Sequence, residues 1–316
     1  MKKILVLAIA MALLVSGTAM AAGYSVGICQ LVQHAALDEA TQGFVDAMTE
    51  MLGDEVTVSI RNASGDTATC IAIINSLLAE DVDLILANST PALQAAYAGT
   101  GDVPILGASV TDYASALGID VWTGVTGQNV SGTSDLAPLD GQAELIRELF
   151  PDAGTVGLLY CTSEANSVYQ VNTIEQYLTD MGYACVFYGF TDSSDVALVA
   201  QNACMNCDVL FVPTDNVAAS CTEAIRNVVE IEKTPIIGGD KGLCEGCGVA
   251  TISSNYYELG RVAGEMAYEI LVNGADIAEM PVRYAHSFRK VYNAELCSYL
   301  GIEVPEGYIS TAEAWH

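Results

Sequence analysis

The chain has 316 residues, of which 52% are hydrophobic and 16% are charged, a composition typical of a globular protein rather than a disordered one. Its 39 acidic residues outnumber its 11 lysines and arginines and give a formal net charge of −28. Nucleic acid and anionic lipid are therefore poor partners, because this charge repels phosphate groups, whereas it favours solubility and cationic or zwitterionic ligands.

The N-terminus has the three parts of a secretory signal peptide. Two lysines at positions 2 and 3 precede an uncharged apolar run over residues 4–15, and small residues around Ala21 follow a Ser-Gly break. The run is too short to span a membrane as a helix. We expect residues 1–22 to be removed on export, and no cysteine stands at the cleavage point to carry a lipid. The sequence predicts a periplasmic or extracellular protein.

After this segment, predicted strands alternate with predicted helices. The strands are short apolar or alternating runs, and the helices repeat apolar residues at helical spacing. The first series has strands at 24–29, 55–61, 82–87 and 104–107 and helices at 37–52, 67–78 and 91–98. This order predicts a parallel sheet that is covered by helices on both faces.

The same order returns after a polar, glycine-rich stretch at 123–140, in which neither pattern is found. We interpret this stretch as the first crossing between two lobes. The second series has helices at 141–149, 167–181, 195–202 and 216–230 and strands at 155–160, 184–189, 208–212, 235–238 and 248–252. A helix at 256–272 then ends at Asn273-Gly274, a common helix stop.

Length and repetition together predict an α/β protein with two doubly wound parallel-sheet lobes joined by a hinge. We assign residues 23–132 and 255–281 to the first lobe, and residues 133–254 and 282–316 to the second. A ligand is expected between the lobes, at the carboxyl ends of the strands.

Six segments follow one another in a characteristic order and spacing. They are Gln30 with His34 and Leu37-Asp38, 88–92, 118–133, 157–160 with 164–167, 213–216, and 256–261. Together they resemble the ABC transporter substrate-binding proteins that include tryptophan and tyrosine binders. The resemblance implies a periplasmic-binding-protein fold with three hinge crossings, a small ligand that is often an aromatic amino acid, and a membrane permease with its ATPase as partners. We expect a monomer without cofactor or enzyme activity.

One predicted group of ligand-binding residues could hold a carboxylate. Asn88, Ser89 and Thr90 follow a buried strand and precede Pro91, which suits the first turn of a helix. Hydroxyls and free backbone N–H groups at a helix start can bind an anion. The alternative is that Ser89 or Thr90 only caps the helix.

A ligand ammonium group requires an acceptor, and Asp215 and Asp135 are the candidates. Asp215 could equally cap the helix that follows it. The resemblance implies an acid where Asn255 stands, so another acid must take its role or the ligand differs. The other candidate ligand-binding residues are Gln30, His34, Ser109, Ser134, Ser163, Asn166, Ser167, Thr214, Asn216 and Asn255.

Aromatic residues near predicted loops or helix starts could form a wall for an aromatic ligand, and packing in the core is the alternative. These residues are Tyr113, Trp122, Tyr169 and Tyr256.

Ten cysteines include two Cys-x-x-Cys pairs, one beginning at Cys204 and the other at Cys244. A double pair of this kind can bind zinc, but disulfides or free thiols are the preferred interpretation for an exported chain. The chain has three histidines and lacks the serine-elbow, P-loop and zinc-helix motifs of common enzymes. A repressor of this fold would need a basic DNA-binding module at its N-terminus. A binding protein that acts as a chemosensory ligand carrier or an adhesin stays open as an alternative to transport.

Overall fold

A computed structural model describes residues 23–315, and the predicted signal peptide lies outside this range. The strands are β1 (Tyr24–Gln30), β2 (Val56–Asn62), β3 (Leu84–Asn88), β4 (Ile105–Val110), β5 (Val130–Ser134), β6 (Thr155–Cys161), β7 (Ala184–Phe190), β8 (Val209–Val212), β9 (Ile236–Gly238), β10 (Ala250–Ser253), β11 (Arg283–Tyr284), β12 (Arg289–Tyr292) and β13 (Ile309–Ser310).

The helices cover the connections between these strands. They are α1 (Ala35–Leu52), α2 (Thr67–Ala79), α3 (Thr90–Gly99), α4 (Tyr113–Leu117), α5 (Leu139–Leu149), α6 (Ala165–Asp180), α7 (Val196–Asn206), α8 (Asn216–Ser220), α9 (Thr222–Glu232), α10 (Lys241–Gly246), α11 (Tyr256–Leu271) and α12 (Ala294–Leu300). Across residues 23–315, none of the helices combines the length and the apolar character needed to cross a membrane.

The strands form two sheets, one in each lobe. The first sheet has the order β11-β5-β4-β3-β1-β2 and the second the order β13-β12-β10-β9-β8-β6-β7. All neighbouring strands run parallel except β10 and β12, which are antiparallel. The chain passes between the sheets after β5, after β10, and between β11 and β12. The predicted fold class of two α/β lobes is confirmed.

The predicted lobe boundaries at 132 and 281 were wrong by a few residues. Strand β5 lies within the stretch in which no strand was predicted, and it pairs with β4, so the first sheet extends to Ser134. Strand β11 pairs with β5 and therefore also belongs to the first sheet. The sequence of β5 is Val-Ser-Gly-Thr-Ser, and all five residues are buried. Small polar residues give no apolar pattern, so this strand could be recognised only from its pairing.

Both faces of the first sheet are covered by apolar side chains. Helices α2 and α3 pack on one face through residues such as Leu77 and Leu93. Helices α1 and α11 pack on the other face through Phe44, Met48 and Met266. The second lobe has one large core around β6, β8 and β9, to which α12 adds Leu296 and Cys297. Each lobe thus has its own core.

Helices α1 and α11 approach each other so closely that two glycines are required. A Cβ atom at Gly260 would lie 2.0 Å from the carbonyl oxygen of Ala40, and one at Gly43 would lie 2.0 Å from the carbonyl oxygen of Tyr257. This contact fixes the start of α11, and with it Tyr256, against the first lobe.

Candidate functional site

The carboxyl ends of the strands in the two sheets face each other and enclose a polar cavity, here called the interlobe cavity. Its lining consists of His34, Ala36, Leu37, Ser109, Thr111, Asp135, Asn166, Thr214, Asp215, Asn216, Asp240 and Tyr256. Most of these residues directly follow a strand or begin a helix. This is where a doubly wound fold places a ligand.

Asp135 follows β5 and is buried in the interlobe cavity. Its Oδ2 atom accepts a hydrogen bond from the hydroxyl of Tyr256 at 2.9 Å, and its Oδ1 atom is buried without a partner. Burial raises the pKa of Asp135 to about 6, and the Tyr256 hydrogen bond partly offsets this rise. Asp135 thus presents a carboxylate oxygen that has no counter-charge.

Asp215 uses both of its oxygens within the second lobe. Oδ1 accepts from the backbone N–H of Ala218 at 2.8 Å and caps α8, and Oδ2 accepts from the backbone N–H of Cys161 at 2.6 Å. Burial, and then the charge of Glu164, raise the pKa of Asp215. The capping alternative therefore describes Asp215 better than a role as an ammonium acceptor.

Asp240 is a third buried carboxylate in this cavity, and the sequence interpretation missed it. Its Oδ1 atom accepts from the backbone N–H of Leu243 at 2.9 Å and caps α10. Burial raises its pKa to about 6. An acid directly after the strand ending in Gly238 is the same signal that drew attention to Asp215. No lysine or arginine is among the described residues that line the cavity, so its charge is negative.

A hydrogen-bond network fixes the polar groups of the second lobe. The side chain of Gln170 donates to Thr214 Oγ1 at 2.6 Å and accepts from the Thr214 backbone N–H at 3.1 Å. Asn166 donates to the Thr214 carbonyl at 2.8 Å, and Glu164 accepts from the Asn216 amide at 2.5 Å. Because these partners hold the amide groups, the face that they present is preorganised.

Three side-chain contacts join the lobes around the cavity. The hydroxyls of Thr111 and Thr214 are 3.3 Å apart, His34 Nε2 is 3.3 Å from Asn216 Oδ1, and Lys241 Nζ is 3.3 Å from a carboxylate oxygen of Glu39. The lobes are thus closed, and the cavity between them has a volume of only about 10 Å³. A molecule larger than water can enter only after the lobes separate by a hinge motion.

A second cavity, here called the rim cavity, borders the first and shares Asn216 with it. Its lobe 1 side includes Leu31, Val32 and Pro91, and its lobe 2 side includes Val217. The rim cavity is therefore more apolar than the interlobe cavity, and it also contains Ser163 and Glu164.

Seven of the predicted site residues line the interlobe cavity. They are His34, Ser109, Asp135, Asn166, Thr214, Asp215 and Asn216. Burial lowers the pKa of His34, so the neutral imidazole is favoured there. Ser109 has a left-handed backbone conformation with φ of 53°, which is costly for a non-glycine residue, and its hydroxyl is buried without a partner.

The predicted role of Asn88 in holding a carboxylate requires correction. Its Nδ2 atom donates to the Leu37 carbonyl at 2.8 Å and to Thr41 Oγ1 at 2.9 Å. Gln30 is also occupied, because it donates to Asp38 at 2.7 Å and accepts from Thr41 at 2.6 Å. The Asn88 nitrogen and both polar atoms of Gln30 therefore hold the start of α1, while Asn88 Oδ1 is buried without a partner among residues 23–315.

Ser89 and Asn255 are helix caps. Ser89 Oγ accepts from the backbone N–H of Ala92 at 3.2 Å, and Asn255 Oδ1 accepts from that of Glu258 at 3.2 Å. Asn255 also lies outside the interlobe cavity and lines a separate cavity at the hinge. The residue at this position therefore does not line the interlobe cavity.

The remaining predicted polar residues lie beside the interlobe cavity rather than in its lining. Ser134 donates to the Thr111 carbonyl at 2.8 Å, and the Ser167 hydroxyl is 3.3 Å from Asn166 Nδ2. Ser163 lines the rim cavity. The Thr90 hydroxyl is buried without a partner.

Of the four aromatic candidates, only Tyr256 lines the interlobe cavity. Tyr113 is buried in the first lobe, where its hydroxyl donates to the Gly107 and Thr133 carbonyls at 3.1 Å, and its ring stacks on Trp122 with a centroid distance of 6.4 Å. Tyr169 packs against the core of the second lobe. The core-packing alternative holds for these three.

The two Cys-x-x-Cys pairs do not form a common metal site. Cys204 and Cys207 lie at the end of α7, and Cys244 and Cys247 lie at α10. Across residues 23–315, no three His, Cys, Asp or Glu side chains are grouped so that they could hold a metal ion. The thiols of Cys244 and Cys247 are buried, and burial raises their pKa.

Comparison with known proteins assigns this architecture. Residues 25–315 match the family model described as ABC transporter substrate binding protein. The chain is 35% identical over 282 residues to a tyrosine-binding protein of Clostridioides difficile, and the match covers 88% of this chain and 81% of the relative.

Two solved structures, one with a ligand and one without, can be compared with the arrangement of the lobes in this chain. One is an ABC domain of Streptococcus pneumonia in complex with L-Trp, with 30% identity, a TM-score of 0.86, and coverage of 90% of this chain and 96% of that chain. The other is the ligand-free, open form of a substrate-binding protein with adhesive properties from Clostridium difficile, with 36% identity, a TM-score of 0.68, and coverage of 91% and 99%. The chain superposes better on the liganded structure although the open one is more similar in sequence, which agrees with the closed arrangement.

Proposed function

This chain belongs to the family of ABC transporter substrate-binding proteins, and on that premise we propose that it is exported and delivers an aromatic amino acid to a membrane permease and its ATPase. Members of the family are binding proteins, so the chain is not an enzyme. The finer assignment, to an aromatic amino acid, depends on the chemistry of the two cavities.

The observation that carries this proposal is the free oxygen of Asp135. A buried carboxylate without a counter-charge is unfavourable, and Asp135 Oδ1 has no hydrogen-bond partner among residues 23–315. The ammonium group of an amino acid would supply both the missing charge and a hydrogen bond. Asp240 on the opposite lobe adds to the negative potential at the same place.

The ligand carboxylate is assigned to the start of α3 and the end of β4. The hydroxyls of Thr90 and Ser109 are both buried without partners, and Thr90 begins α3, where the positive end of the helix dipole favours an anion. Of the three residues that the sequence predicted to bind the carboxylate, Thr90 is kept. Ser109 takes the place of Asn88 and Ser89.

The ligand side chain is assigned to the rim cavity. Leu31, Val32 and Pro91 from one lobe face Val217 from the other, and such a lining suits an aromatic ring better than a charged group. The tyrosine-binding relative and the L-Trp complex support the same ligand class.

Thermal unfolding in the presence of single amino acids tests the proposal. A ligand that binds only the folded protein raises the Tm, so we expect L-tyrosine, L-tryptophan or L-phenylalanine to raise it while L-leucine and L-glutamate leave it unchanged. A shift with a solute of another class, and none with the three aromatic amino acids, would contradict the ligand assignment.

Export is tested separately by mass spectrometry of the protein secreted from its own cell type. We expect an N-terminus created by cleavage after Ala21 or Ala22. Recovery of the chain with Met1 retained would contradict export through a cleaved signal.

Adhesion is a second candidate function, because the relative that is 36% identical has adhesive properties. Transport depends on the interlobe cavity, whereas adhesion needs only an outer surface. Host-cell adherence that persists in the Asp135→Asn variant would assign adhesion to the surface. Adherence no greater than that of an unrelated secreted protein would exclude it.

A further inference from the structure

A third cavity, here called the hinge cavity, lies where the chain makes its third passage between the sheets. Arg283 and Tyr284 belong to the first sheet and Arg289 to the second, and residues 285–287 between them also line the cavity. The start of α11 forms another part of its wall. Its volume is about 380 Å³, within the range of small-molecule sites. A molecule in this cavity would contact both lobes.

The charge of the hinge cavity is opposite to that of the interlobe cavity. Arg283 and Arg289 line it, and Glu258 is the only acid among the described residues in its lining. The interlobe cavity is lined instead by three aspartates. In a chain with 39 acidic and 11 basic residues, this local excess of positive charge is unusual. It selects for an anion.

The guanidinium groups of Arg283 and Arg289 form only long-range interactions with the charged and aromatic side chains around them. The nearest carboxylate oxygen to Arg283 is that of Glu265, at 3.8 Å and exposed. Arg289 has no ion pair among residues 23–315, and its guanidinium lies 5.6 Å from the ring centroid of Trp315. Guanidinium groups bind carboxylates through paired N–H donors, so both side chains have donors available for a ligand.

The rest of the lining is aromatic, apolar or hydroxylic. Trp315 and the half-exposed ring of Tyr284 lie beside the arginines, and Leu259 and Val262 come from α11. Thr133 is also part of the lining, and its hydroxyl is buried without a hydrogen-bond partner. Aromatic surfaces next to cationic donors suit a ligand with a planar apolar body and one negative group.

From this geometry we propose that the hinge cavity is a second ligand site, specific for small aromatic carboxylates that lack an amine. Arg289 and Arg283 bind the carboxylate, and Trp315 and Tyr284 contact the ring. An amino acid is disfavoured there because its ammonium group would lie beside the arginines. Conversely, a carboxylate without an amine is disfavoured among the aspartates of the interlobe cavity.

Isothermal titration calorimetry with phenylacetate as the probe tests this proposal. We expect the protein to bind phenylacetate, the Arg289→Gln and Arg283→Gln variants to bind it at least about tenfold more weakly, and acetate to bind at least about tenfold more weakly than phenylacetate. The Arg147→Gln variant, which removes an exposed arginine elsewhere, should bind phenylacetate as the parent protein does.

Three results would overturn the proposal. They are the absence of phenylacetate binding up to about 10 mM, binding that both arginine variants retain in full, and competition between phenylacetate and an amino acid for a single site. Retention of the parent Tm by the arginine variants shows that they are folded. The outcome is independent of which amino acid, if any, binds between the lobes.

Discussion

The Tyr256 hydroxyl donates a hydrogen bond of 2.9 Å to Asp135 Oδ2, and this bond joins the start of α11 to the end of β5. Both residues are buried, and both border passages of the chain between the lobes. The bond orients the Asp135 carboxylate so that one oxygen is held by the protein while the other has no partner. A single hydrogen bond thus links the hinge to the acid proposed to bind the ligand ammonium group.

The first prediction concerns this acid. Asp135→Asn removes the charge but keeps the size of the side chain, so we expect the affinity for the aromatic amino acid to fall by about 10- to 100-fold, the value of a charge-assisted hydrogen bond. Calorimetric titration measures the change. Asp140→Asn is the matched control, because Asp140 is exposed at the start of α5. Equal affinities in both variants would show that another group binds the amine.

The second prediction is a pH dependence of the affinity. Burial raises the pKa of Asp135 to about 6, so protonation below this pH removes the negative charge that attracts the ammonium group. The affinity should fall about tenfold for each pH unit below 6. Titrations in buffers of constant ionic strength measure this dependence. The Asp135→Asn variant should lose most of this dependence and keep a weaker one from Asp240, whose pKa is also raised to about 6. An unchanged slope in that variant would assign the titration to Asp240 rather than Asp135.

The third prediction concerns the stability of the ligand-free protein. Because the pKa of Asp135 is higher in the folded protein than its usual value near 3.9 in the unfolded chain, the folded protein binds more protons between pH 4 and pH 6. The contribution of Asp135 to the free energy of unfolding is therefore lost as the pH rises through this window, by about 3 kcal/mol.

Urea denaturation of the parent protein and of Asp135→Asn at each pH isolates this contribution. Groups that titrate in the same way in both proteins do not contribute to the difference between their free energies of unfolding. One such group is His34, whose lowered pKa makes the folded protein more stable as the pH rises. A difference that stays constant from pH 4 to pH 7 would contradict a raised pKa.

How far the sequence predicts this protein depends on whether a feature is local. The strand and helix order follows from apolar periodicity, and the place of Asp215 after a strand end follows from that order in a doubly wound fold. Strand β5 was missed because its side chains are small and polar while its pairing is distant in sequence. The roles of Asn88 and Gln30 were misassigned for a related reason. Their partner, Thr41, lies in α1, and no local pattern indicates that contact.

The fourth prediction concerns the ion pair between Lys241 and Glu39, which joins the closed lobes at 3.3 Å. Lys241→Met should weaken ligand binding about two- to fivefold, because a partly exposed pair contributes up to about 1 kcal/mol to the closed form. Small-angle scattering should show a larger radius of gyration for the ligand-free variant. Arg61→Met is the control, since Arg61 pairs with Glu80 within one lobe. Equal effects of the two changes would contradict a role of Lys241 in closure.

The fifth prediction concerns the contact between α1 and α11. Gly260→Ala would place a Cβ atom 2.0 Å from the Ala40 carbonyl oxygen, so the helices must move apart, at a cost of about 1–3 kcal/mol in the free energy of unfolding. Urea denaturation measures this cost. Gly101→Ala is the control, because a Cβ atom there would meet no heavy atom within 4 Å. Since α11 also positions Tyr256, the same variant should bind the ligand more weakly even at temperatures where it is fully folded. Full affinity in a destabilised variant would show that the start of α11 is positioned by its other contacts, such as the Asn255 cap, rather than by the glycine contact.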